Sequence, residues 1–172
     1  MAVEDIFDQR RWPHCTLFAV SLAISKACED HGVEITSQEV RAMLLMYDDI
    51  FDKVEVGFFP YDFDGKTLKF YNRNPNAEEI SNYTIKIQDM APNEYQQGLQ
   101  AIRYVLVVWR YLDGDEDHCM FVIDRIEIDG VNCFRCRNSM QDGGLEPLIE
   151  ETGEENTLHR VTVTVNNRIF RN

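Results

Sequence analysis

A chain of 172 residues, 44% hydrophobic and 27% charged, has the composition of one globular domain with a core of its own. The formal net charge of −13 argues against nucleic acid and anionic membranes as partners, because both require a basic face. No apolar run approaches the roughly 20 residues of a membrane span, and residues 1–5 lack the basic and apolar regions of a signal peptide.

The first predicted element follows Trp12-Pro13-His14-Cys15. Leu17, Phe18, Val20, Leu22, Ala23, Ile24, Ala27 and Cys28 are too dense and extend too far for a strand. They predict a helix buried on most sides, with Cys15 in its first turn and Pro13 in the turn that leads into it. A helix N-terminus carries about half a positive charge, which eases ionisation of a thiol. Taken alone, Cys15 reads more readily as a buried structural cysteine than as a nucleophile.

A second helix opens at Thr36-Ser37-Gln38-Glu39, where Thr36 or Ser37 caps and Glu39 completes a capping box. Val40, Met43, Leu44 and Tyr47 form its core stripe. Asp48-Asp49-Ile50-Phe51-Asp52 has the acids of a calcium loop without the turn glycine or the closing glutamate, and reads as a solvated helix end. Residues 53–82 lose periodicity. Phe58, Phe59, Tyr61, Phe63, Phe70 and Tyr71 fit either a pocket lining or packing beneath a long connection.

The remainder reads mainly as strands: residues 83–87, a short helix from Asn93 to Arg103, a central strand over 104–109, then 118–128 and 131–137 joined at Asp129-Gly130. An acidic surface loop is expected over 145–156 and a last strand over 158–165. The hairpin places His118 near one end and Asn138 near the other, and antiparallel pairing draws those ends together. A thiol needs a base, and an imidazole needs a partner to fix its ring. Cys15, His118 and Asn138 supply such a set, and Gln9 can offer an amide donor to an oxyanion.

The five cysteines, 15, 28, 119, 133 and 136, form no disulfide grid and suit a reducing compartment. Cys133-x-x-Cys136 lacks a second pair of ligands, so no metal and no cofactor are expected.

These residues resemble the papain-like cysteine peptidases. Gln9, five residues, Cys15 and Thr16-Leu17-Phe18 match the start of that family's central helix. Residues 35–40 look like its Leu-Ser-Glu-Gln-Glu-Leu helix start, His118 precedes a strand, and Asn138-Ser139 begins its Asn-Ser-Trp-Gly stretch. The ordered matches run from Gln9 to Gly144. The resemblance implies an α+β, two-lobed papain-like fold over residues 1–172, with a helical lobe over about 9–100 and a twisted antiparallel β lobe over about 101–172. It implies a Cys15–His118–Asn138 triad, Gln9 in the oxyanion hole, and peptide or protein substrates.

The chain departs from the family at Trp12, which replaces a cysteine, and at Pro13-His14, which replaces Gly-Ser. Thr16 replaces an aromatic, and Met140 the shielding tryptophan. Those departures support an alternative reading, a catalytically weak or inactive relative that binds a peptide or protein in the same cleft. The short stretch before Cys15 holds no inhibitory pro-segment. The expected location is cytoplasmic, or the chain is a trimmed mature domain of a secreted or vacuolar precursor.

Overall fold

In the computed structural model, residues 14–71, 79–90, 104–110, 117–137, 148–150 and 157–168 are described. Helix α1, Cys15–Asp30, buries twelve of its sixteen residues, as the dense apolar run requires. It packs on helix α2, Ser37–Leu44, on one side and on the sheet on the other. Gly32, at φ 77°, ends α1 in the left-handed conformation that a side chain disfavours, and Val33 N–H returns to the Cys28 carbonyl. Ser25 Oγ donates to the Ile35 carbonyl at 2.5 Å and ties the connection between the helices back to α1.

Thr36 Oγ1 caps α2 by accepting from Glu39 N–H at 3.1 Å. Val40 and Leu44 are fully buried, while Met43 and Tyr47 pack at the margin. Arg41 is also buried. Its guanidinium lies 3.9 Å from the Phe18 ring centre and donates to Ser37 Oγ at 3.1 Å. The acidic stretch forms a single turn, α3, Asp48–Phe51. A 3-10 turn, Pro60–Phe63, follows.

Seven strands form one antiparallel sheet: β1 Thr67–Tyr71, β2 Glu79–Met90, β3 Val105–Arg110, β4 Asp117–Ile128, β5 Val131–Arg137, β6 Leu148–Glu150 and β7 Thr157–Arg168. Their spatial order is β1-β2-β7-β3-β4-β5-β6. The β4–β5 hairpin turns at Asp129 and Gly130, whose φ values of 51° and 81° are what a two-residue turn between twisted strands demands.

Both faces of the sheet centre are buried. Leu106, Cys119, Phe121, Val161 and Val163 join the core under the helices. Val105, Val107, Met120, Val122, Phe134, Cys136 and Leu158 form a second apolar cluster. Two-sided burial explains why residues 104–109 read as a continuous β-branched run rather than an alternation.

The α+β class expected from sequence is observed. Two boundaries differ. The strand expected over residues 83–87 extends to Glu79–Met90, and β1 forms within the stretch expected to lose periodicity; both belong to the same sheet as the later strands. Period-two alternation at Leu68, Tyr83, Ile85 and Ile87, all buried, overrides the turn residues around them. The acidic segment expected as a loop contains β6, which pairs with Cys133–Arg135. The helix expected over 93–103 lies outside the described residues. Of the six aromatics at 58–71, Phe58 and Phe63 enter the core, whereas Phe59 and Tyr61 are exposed.

Candidate functional site

Cys15 is the first residue of α1, with His14 as its N-cap. The amides of a first helical turn lack carbonyl partners within the helix, so the thiol stands where backbone N–H groups converge. His118 is the second residue of β4 and is buried. Pairing of Trp109 with His118 across β3 and β4 fixes its backbone. Packing of α1 on β4 brings the two residues together although 103 positions separate them in the chain.

The Cys15 thiol hydrogen-bonds the His118 side chain and also accepts from the Cys119 backbone N–H. Thr16 Oγ1 lies 4.0 Å from the sulfur. Burial is the largest single influence on the thiol and opposes its ionisation. The His118 hydrogen bond, the Cys119 N–H, the imidazolium charge and the Thr16 hydroxyl together outweigh it, and Cys15 ionises below its ordinary range.

The other thiols contrast with it. Burial pushes Cys28 up to about 11 and Cys136 up to about 12. Complete burial, followed by the neighbouring Cys15 charge, holds Cys119 well above the usual thiol range. All five cysteines are free. Only the thiol at the helix start therefore combines partial exposure with an adjacent imidazole.

His14, which in sequence stands where it could crowd the site, is turned elsewhere. Its Nε2 lies 2.7 Å from the Val54 carbonyl and its ring stands 5.9 Å from that of Phe58. This contact joins the α1 N-terminus to residues 54–58.

Gln9 and Asn138, the remaining expected site residues, lie outside the described residues. The β4–β5 pairing runs as far as Phe121 opposite Arg137, the residue before Asn138. Among the described residues, no group of three or more His, Cys, Asp or Glu could hold a metal ion, and Cys133 and Cys136 do not form part of one.

Sequence reasoning missed two features. One is the Cys119 amide, because a backbone donor leaves no trace in residue type. The other is a cluster on β2 and β7. His159 Nδ1 is 3.0 Å from Asp89 Oδ1, Tyr61 donates to the same carboxylate, and Thr157 Oγ1 is 3.4 Å from His159 Nε2. Asp89 and His159 are cross-strand partners, a pairing that only the sheet register reveals.

Among the described residues no helix is long and apolar enough to cross a membrane. No protein-family model matches the chain, and no curated protein matches it.

Proposed function

We propose that this protein is a papain-like cysteine peptidase that hydrolyses peptide bonds through a thioester. The observation that carries the reading is the hydrogen bond between Cys15, at the start of a buried helix, and His118, at the start of a buried strand, with the thiol held below its ordinary range. In this reading the helical part and the sheet correspond to the two papain-like lobes, and the pair sits where they meet.

The chemistry follows from the pair. Proton transfer from Cys15 to His118 gives a thiolate and an imidazolium. The sulfur attacks the peptide carbonyl, and the Cys15 backbone N–H with Gln9 receives the oxyanion. His118 then protonates the departing amine, leaving an acyl thioester. Water, deprotonated by His118, attacks the thioester carbonyl, and the thiol leaves. Asn138 would hold the imidazole in the orientation both steps need. Five free cysteines support a reducing, cytoplasmic setting.

The test is labelling by a peptide-based electrophile, together with turnover of a mixed peptide pool, in wild type, Cys15→Ser and His118→Ala. Labelling of Cys15 and cleavage should both vanish in Cys15→Ser and fall steeply in His118→Ala. Labelling that depends on His118 without any cleavage would favour a peptide-binding relative. Labelling indifferent to His118 would remove the peptidase reading altogether.

A further inference from the structure

The exposed large apolar side chains of the described residues are concentrated in one stretch of the chain. Among the described residues, Met46, Phe51, Val56, Phe59 and Tyr61 stand between 53% and 83% exposed. Only Ile128 and Val131, at 39% each on the β4–β5 hairpin, lie outside that segment. Single exposed apolar residues are ordinary, but five within sixteen positions are a concentration along the chain.

Hydrogen bonds and ring packing tie the segment to the rest of the fold. Tyr47 hydroxyl donates to the Thr67 carbonyl at 2.7 Å, and Phe58 packs on Phe63 beneath the surface. Phe59 N–H donates to Asp62 Oδ2 at 2.8 Å, and the His14 ring holds Val54. Phe59 and Val56 are therefore displayed by an ordered backbone while their neighbours Phe58 and Pro60 are buried.

Charge selects what could cover this face. The acids interleaved with the apolar residues are Asp48, Asp49, Asp52, Glu55, Asp62 and Asp64. Lys53 is engaged with Asp62 at 2.5 Å, and Lys66 with Asp49. Asp48, Asp52 and Glu55 are exposed and have no ion-pair partner among the described residues. A second copy would bring a net charge of −13 and the same acids against themselves. An anionic lipid surface would be repelled in the same way. A cationic amphipathic segment, with apolar side chains on one face and Lys or Arg beside them, matches both properties.

We propose that the exposed face over residues 46–64 is a docking surface for a basic, amphipathic segment of a partner protein. Phe51, Val56 and Phe59 are its apolar anchors, and Asp48, Asp52 and Glu55 set its charge preference. The proposal does not require that Cys15 be a nucleophile.

The experiment measures binding of a synthetic amphipathic Leu/Lys helix to the full chain by titration calorimetry, with a Leu/Glu helix of the same pattern as comparison. The Leu/Lys helix should bind with one-to-one stoichiometry and the Leu/Glu helix should not. Removing the three apolar anchors with Phe51→Ser, Val56→Ser and Phe59→Ser should weaken binding by about tenfold or more. Ile128→Ser with Val131→Ser should leave it unchanged. Asp48→Asn, Asp52→Asn and Glu55→Gln should weaken binding and its salt dependence, whereas Glu127→Gln with Asp129→Asn should not. The substituted side chains are exposed, and matching thermal unfolding curves would establish that the variants fold. Equal weakening by the hairpin and patch variants would mean diffuse attraction to an acidic protein and would overturn the proposal. Equal binding of the Leu/Glu helix, or self-association abolished by the patch variants, would overturn it as well.

Discussion

The Cys15 thiol and the His118 imidazole hydrogen-bond across the junction of α1 and β4. Burial is the largest single influence there and works against the thiolate, so the low thiol rests on several favourable contacts acting together. Removing the ring leaves the burial and deletes two of the favourable influences. The iodoacetamide labelling curve of Cys15 should therefore move to higher pH in His118→Ala, with about a tenfold loss of rate near neutral pH for each pH unit moved. Mass mapping of the native protein near neutral pH should find Cys15 modified ahead of Cys28, Cys119 and Cys136. Modification of any of these three before Cys15 would contradict the site.

Two buried serines of α1 should respond oppositely to alanine. The Ser21 hydroxyl is fully buried with no hydrogen-bond partner among the described residues. Ser21→Ala removes that unsatisfied group and improves helix propensity, so stability should rise by about 1 kcal/mol. Ser25→Ala deprives the buried Ile35 carbonyl of its donor and should lower stability by about 1–2 kcal/mol. Urea unfolding of the two variants checks the signs.

Arg41 should not be replaceable by lysine. Its planar group stacks on Phe18 while donating to Ser37, and the whole side chain is buried. An ammonium can neither stack in that way nor shed its hydration as readily. Arg41→Lys should cost about 1–2 kcal/mol in chemical denaturation. An unchanged midpoint would mean that the stack contributes nothing.

His159 should make the protein lose stability on acidification. Burial lowers its pKa below the ordinary histidine value, and the Asp89 carboxylate only partly opposes this. The folded state therefore binds fewer protons than the unfolded state once pH falls below about 6.5, the unfolded histidine value. The stability is complete above that pH and is lost as pH drops towards the folded pKa. His159→Phe should flatten the unfolding midpoint against pH across this window. Asp89→Asn should steepen it, because it removes the charge that supports the imidazolium. Thermal melts at a series of pH values measure both slopes.

How much of this was legible beforehand depended on the range of the signal. The dense run after Cys15, the Thr36–Glu39 cap and the Asp129-Gly130 turn are local, and the helices and hairpin they imply are present. The adjacency of Cys15 and His118 was inferred from chain order and chemical need, and packing of α1 on β4 supplies it. Features set by register were not legible. β6 is three residues long and lies in an acidic stretch whose composition points to a loop. The contact of Asp89 with His159 depends on how β2 meets β7.

The separation of Cys15 from His118 along the chain also sets an order of events. α1 can form from local sequence, but His118 reaches it only after the sheet assembles through contacts distant along the chain, which are slow to close. During synthesis the N-terminal half emerges first, and until β4 docks its thiol is an ordinary, weakly nucleophilic one. Reactivity is thus acquired late, as a property of the finished sheet. The rate at which Cys15 becomes labile to alkylation during refolding would serve as a clock for the closing of β4 on α1.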